Sequence, residues 1–161
     1  MKKKIKNLKM IVCITKDNLM GSKNAMGNGL LWDVKEELNY FKEKTMGHSL
    51  LFGVNTSKYV PIDKIRKTRD VYILDYSVDV PKLIEKLEGE NKEIFICGGY
   101  NTYKYFLEKY IPSEIYVSIL KDHVLIKESE NKLYFPKLEE YGYKKEMIKE
   151  YDDFYAYVYK N

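Results

Sequence analysis

The stretch Glu93-Ile94-Phe95-Ile96-Cys97-Gly98-Gly99-Tyr100-Asn101-Thr102-Tyr103-Lys104-Tyr105-Phe106-Leu107 decides how this chain folds. Ile94 to Cys97 is apolar at every position, as expected of a strand buried on both faces rather than one with a wet side. Two glycines follow, and a helix is expected near Asn101–Lys109. Strand, tight glycine turn and helix form the repeating unit of a parallel sheet. The same alternation extends outward in both directions. Met10–Thr15, Ser49–Phe52, Asp70–Leu74 and Glu114–Leu120 read as strands. Helices are expected over Val34–Thr45, Thr56–Val60 (stopped by Pro61) and Pro81–Leu87, the last beginning with the proline that first turns favour. Lys144–Glu150 and Phe154–Lys160 read as an antiparallel hairpin around Tyr151–Asp153. Phe154, Ala156 and Val158 then face one way, and Tyr155, Tyr157 and Tyr159 the other. The fold class is therefore α/β.

The chain has 161 residues and a net charge of +4, which suits one domain spanning residues 1–161. Residues 1–8 read as a solvated basic extension; no aromatic residues interleave with its lysines, so a nucleic-acid arm is not expected. No run is long enough for a secretion signal or a membrane span. The sixteen tyrosines suit half-buried strand faces and a lined cleft. Cys13 and Cys97 sit singly in apolar runs, as buried thiols of a reducing compartment do. No Cys or His cluster has metal-ligand spacing, and His48 and His123 read as single exposed side chains. A soluble cytoplasmic monomer acting on a small molecule is expected, with no metal, nucleic acid or membrane partner.

Open α/β sheets bind ligands at the C-terminal ends of their strands. Three features fall there: the long Asp17–Trp32 connection, Gly53, and Gly98-Gly99. Glycines let the backbone approach a ligand closely. Two such strand–glycine–helix turns suit a dinucleotide, although the G-x-G-x-x-G fingerprint is absent. Asp33 reads as the N-cap of the first helix, with Glu36 its capping-box partner. Along that helix Val34, Leu38, Phe41 and Thr45 form one stripe, Glu36 points away, and Glu37 lies about 70° from the stripe's centre. Glu37 is thus the carboxylate that leans inward.

Five blocks add a more specific signal: Ile11–Ile14 with Asp17 and Met20-Gly21; Asn28-Gly29-Leu30-Leu31-Trp32 with Glu37-Leu38 and Tyr40-Phe41-Lys42; Gly53 with Thr56; Arg69 before Val71–Leu74; and Ile94–Gly99 with Tyr103 and Phe106-Leu107. In this order and spacing the chain resembles the dihydrofolate reductases from about Met10 to its C-terminus. Trp32, five residues before an acid and nine before Phe41, is the strongest signature. The resemblance implies a central eight-stranded, mostly parallel sheet with an antiparallel C-terminal hairpin and about four flanking helices. It implies reduction of 7,8-dihydrofolate to tetrahydrofolate by a reduced nicotinamide cofactor, NADPH. Glu37 would bind the pterin and assist N5 protonation, supported by Ser118, with Trp32 holding a water. Ile11, Val12, Cys13, Leu38, Phe41 and Val60 would line the substrate groove, and Arg69 would grip the substrate's carboxylate. Cys13, Met20, Leu30, Cys97 and Tyr103 would surround the nicotinamide. Gly53, Val54, Asn55, Thr56 and a cis Gly98-Gly99, with Tyr100, Asn101 and Thr102, would hold the phosphates; Leu74, Asp75 and Tyr76 would flank the adenosine.

The chain departs from that pattern at Leu31, at Val54, at Asp75-Tyr76 with Asn101, and over Lys121–Asn131. Val54, Asp75, Tyr76 and Asn101 offer no positive charge to a 2′-phosphate, so a weakened NADPH preference and use of NADH are expected. Two other readings are a reductase of the same fold, of the riboflavin-pathway pyrimidine type, and a catalytically silent homologue acting as a binding or structural protein.

Overall fold

A computed structural model describes residues 2–24, 27 and 29–161 of the chain. Seven strands form one sheet in the order β4-β3-β5-β1-β6-β9-β8. They are β1 (Lys3–Ile14), β3 (Ser49–Gly53), β4 (Asp70–Leu74), β5 (Ile94–Ile96), β6 (Tyr110–Leu120), β8 (Lys144–Glu150) and β9 (Phe154–Lys160). The first five in spatial order run parallel; β9 returns antiparallel to β6, and β8 pairs antiparallel with β9. The α/β class and the C-terminal hairpin match expectation, but the main sheet has seven strands, not eight. Two short strands, β2 (Leu19–Ser22) and β7 (Lys132–Tyr134), pair in a separate antiparallel ribbon. β2 lies inside the connection expected to be a loop, where Gly and Asn hide its pattern.

Five helices are described, in keeping with the about four expected: α1 (Lys35–Thr45), α2 (Val54–Ser57), α3 (Ile62–Ile65), α4 (Val80–Glu88) and α5 (Tyr100–Lys109). α2 and α3 are single turns split at Pro61, which precedes α3 rather than only stopping a helix. α4 begins as expected, with Pro81 in its first turn and the Asp79 carboxylate accepting from the Lys82 N–H at 3.1 Å.

Alternation along the buried strands sends side chains to two faces. Met10, Val12, Ile94 and Ile96 pack with Ile84 and Leu87 of α4 and Phe106 and Leu107 of α5. Ile11, Leu50, Phe52 and Phe95 face the other way, against Phe41 of α1 and Ile65 of α3. Both faces being covered is why these strands read as continuous apolar runs. Residues 3–8 correct the expectation of a solvated extension. They are the first half of β1, with Lys3–Ile5 paired to Tyr110–Pro112 and Ile5 and Leu8 fully buried. β8 is exposed at every residue, and its lysines and glutamates guard an open sheet edge.

Candidate active site

The site is built where α1 crosses the C-terminal ends of β1 and β6. Register puts Cys13 beside Ser118. Glu37, in the first turn of α1, reaches down to both. It is only 7% exposed, and the Ser118 hydroxyl donates to its Oε2 at 3.2 Å. Burial raises the Glu37 pKa from the ordinary 4.5 to about 7, against the opposing pull of hydrogen bonds from Ser118 and the Cys13 thiol. Cys13 itself is held neutral: burial and then the neighbouring Glu37 charge push its thiol well up. Trp32 lies beneath, 1% exposed. Its indole favours charge on the Cys13 sulfur, yet its Nε1–H meets no acceptor in hydrogen-bonding geometry among the described residues.

The first turn of α1 differs from the capping box read in the sequence. The cap residue is Val34, with no side-chain cap, and Asp33 is exposed. Glu36 instead accepts the backbone N–H of Asp152 at 3.1 Å, tying the helix start to the β8–β9 turn. Glu36 still points away from the core and Glu37 into it. The helix buries Glu37, Tyr40 and Thr45, whereas Leu38 of the expected stripe is 42% exposed. Phe41 and Val60 are half-buried on the same apolar cluster as Ile11. Val12, by contrast, points to the opposite face of the sheet.

Arg69 stands immediately before β4. It is 8% exposed, donating from Nη1 to Thr45 Oγ1 at 3.0 Å and from Nε to Thr68 Oγ1 at 3.2 Å. Burial lowers its pKa, and among the described residues no carboxylate pairs with it. Its guanidinium is therefore held by neutral hydroxyls, with its charge unmatched by a carboxylate among the described residues. Thr45, which also donates to Phe41 O at 2.8 Å, was visible in the sequence only as a packing position. A hydroxyl on an otherwise apolar stripe of a charge-rich helix was the available signal. Arg66, the neighbouring arginine, is exposed.

The residues expected to meet a cofactor centre on Gly53 and Gly98-Gly99. The Gly98-Gly99 peptide is cis, and Gly53 N–H donates to Gly98 O at 2.7 Å. A Cβ on Gly53 would sit 2.5 Å from Thr102 Oγ1, and one on Gly99 2.7 Å from Thr56 Oγ1. The strand ends therefore meet backbone to backbone, with two threonine hydroxyls in the space side chains would take. Tyr103, at the start of α5, donates to Ile11 O at 2.7 Å and locks the helix to β1. Cys97, Met20 and Leu30 are half-buried around this region, as are Leu74 and Tyr100, while Val54, Asn55, Asp75, Tyr76 and Asn101 are exposed. Asn28, part of the sequence signature, lies outside the described residues. His48 is half-buried, accepting the Glu93 N–H at Nδ1, and His123 is exposed beside Asp153. Among the described residues no group of His, Cys, Asp and Glu could hold a metal ion, and no helix is long and apolar enough to cross a membrane.

A buried carboxyl, an apolar cluster that takes in Phe41 and Val60, a buried arginine with no carboxylate partner among the described residues, and a glycine-lined turn at adjoining strand ends thus lie on one α/β sheet. A family model for dihydrofolate reductase matches residues 7–160. The chain belongs to the dihydrofolate reductase family. It is 26% identical over 118 residues to a dihydrofolate reductase of Mycoplasma pneumoniae (63% of this chain, 70% of the relative). It is 28% identical over 127 residues to that of Mycoplasma genitalium (69% and 74%). A third relative, from Buchnera aphidicola subsp. Acyrthosiphon pisum, is 23% identical over 154 residues (89% and 87%).

Proposed function

We propose that this chain reduces 7,8-dihydrofolate to 5,6,7,8-tetrahydrofolate with a reduced nicotinamide dinucleotide, NADPH as in its family or NADH. The observation that carries the reading is the Glu37 carboxyl, buried beside Ser118 and Cys13 with a pKa of about 7. A pterin presents adjacent N–H donors, and one carboxylate accepts both through its two oxygens. A carboxyl that titrates near neutrality also holds and releases a proton at the pH of the reaction. Glu37 thus binds the ring and supplies the proton that ends on N5. Ser118 orients its Oε2 and keeps the pKa from rising further. A water held beside the buried Trp32 Nε1–H would satisfy a donor that has no acceptor among the described residues. Phe41, Val60 and the exposed Leu38 give the substrate's aromatic midsection an apolar bed. Arg69, fixed by Thr45 and Thr68, takes the carboxylate at its far end.

The residues present fit the cofactor. The glycine contacts leave backbone and hydroxyl surface, not side-chain bulk, at the ends of β3 and β5, which suits a pyrophosphate and its flanking groups. When bound, the reduced nicotinamide supplies the hydride to C6. Cys13 and Cys97, both neutral thiols, add no charge beside it.

Incubation of the purified protein with dihydrofolate and nicotinamide cofactor deuterated at the transferred position tests the proposal. Tetrahydrofolate carrying the label at C6 is expected. Dihydrofolate binding without turnover would instead favour the silent homologue.

A further inference from the structure

The end of β4 carries a feature that dihydrofolate reduction does not require. Gly53 and Leu74 are register partners, so the residues after them, Val54 and Asp75, emerge side by side. Neither is cationic. The Asp75 Oδ1 accepts from both the backbone N–H of Ser77, at 2.9 Å, and its hydroxyl, at 2.5 Å. Those bonds hold the carboxyl below the usual range, so it is charged at neutral pH. Its side chain stands in solvent, beside the fully exposed Tyr76.

Sheet order places this carboxylate relative to the cofactor. The strands run β4-β3-β5-β1, with the glycine cradle between β3 and β5 and the Glu37 pocket over β1 and β6. Neighbouring strands are about 4.8 Å apart, so the ends of β1 and β4 are separated by about 14 Å. A dinucleotide with its reacting ring at β1 and its pyrophosphate at the cradle must extend its other half toward β4. A carboxylate there accepts hydrogen bonds from a ribose diol and repels a phosphate dianion on the same ribose.

We propose that Asp75, anchored by Ser77, selects a cofactor with a free 2′-hydroxyl, so that this chain binds NADH in preference to NADPH. The proposal rests on the reading of the site as a nicotinamide-dependent dihydrofolate reductase, and it assigns Asp75 as the specificity-determining residue.

Trp32 is the only tryptophan, and it lies beside the nicotinamide-flanking Cys13, so its fluorescence reports binding without turnover. Titrations with NADH and NADPH, in the absence of dihydrofolate, should give a lower Kd for NADH. Asp75→Asn keeps the acceptor that holds Ser77 and removes the charge. It should tighten NADPH about tenfold, the expected effect of removing one exposed charge facing a dianion, and leave NADH within about threefold. Adding Val54→Arg to that variant should invert the order of affinities. NADPH binding tighter than NADH in the wild-type protein, or an Asp75→Asn variant with unchanged NADPH affinity, overturns the proposal while leaving the reductase reading in place. If neither dinucleotide quenches the fluorescence or protects the protein against thermal unfolding, the cradle itself is misread and both fall.

Discussion

Replacing Glu37 with glutamine should make the folded protein more stable at alkaline pH while removing its function. The folded carboxyl titrates near 7, against an ordinary 4.5. The folded state therefore binds more protons than the unfolded chain between those values, and stability falls as pH rises across them. The contribution is fully present below about 4.5 and is gone above about 7. A difference of about two and a half pH units, at about 1.36 kcal/mol each, is about 3 kcal/mol. About 2.5 kcal/mol of it is lost between about pH 5 and about pH 8. Glutamine keeps an acceptor for Ser118 and never ionises. Urea unfolding of both proteins at the two pH values isolates the effect, because every other titrating group cancels in the comparison. With a slope near 2 kcal/mol/M, the gap between the two midpoints should widen by about 1 M from about pH 5 to about pH 8. Parallel pH profiles for the two proteins would refute the assignment of Glu37 as a carboxyl neutralised by burial.

Other outcomes follow from the same geometry. The rate with dihydrofolate should fall as pH rises through about 7, as Glu37 loses its proton; Ser118→Ala removes a hydrogen bond that favours the anion, so this alkaline limb should move to higher pH, as steady-state pH profiles will read. Arg69→Leu should weaken binding of a folate carrying its carboxylate tail by about 30-fold or more, corresponding to the loss of a charge-assisted bond of about 2 kcal/mol, while a truncated pterin without that tail binds unchanged by calorimetry. Gly53→Ala drives a methyl to 2.5 Å from Thr102 Oγ1; it should weaken dinucleotide affinity at least tenfold with dihydrofolate affinity retained, measured by fluorescence titration.

The elements legible in the sequence were those whose burial is written into consecutive residues. Ile94–Cys97 announces a central strand because both its faces are covered, and Phe154, Ala156 and Val158 announce a hairpin because they are buried at alternate positions, although Tyr159 on the other face is buried as well. β1 began earlier than expected because Lys3, Lys4 and Lys6 dominate its first half and conceal Ile5 and Leu8, which alone turn inward. β2 was hidden by the glycine and asparagine residues around it, and its partner β7 lies far along the chain. The capping box failed for a related reason. Asp33 and Glu36 satisfy the local pattern, but the Asp152 N–H, brought close only by the hairpin, takes the Glu36 carboxylate. The site followed the same rule. Helical periodicity turned Glu37 inward, yet no local pattern could reveal that Cys13 and Ser118 flank it from two other elements, or that Thr45 fixes Arg69.

The central claim is that Glu37 is the acid of a dihydrofolate reductase, and turnover in Glu37→Gln tests it most directly. With dihydrofolate and either nicotinamide cofactor at about pH 6, the wild-type protein should consume cofactor, and the variant should lose at least about 100-fold in rate, the usual contribution of a positioned general acid. Its dinucleotide affinity should stay unchanged. A variant that still turns over within a fewfold of wild type would contradict the account, whatever the stability of either protein.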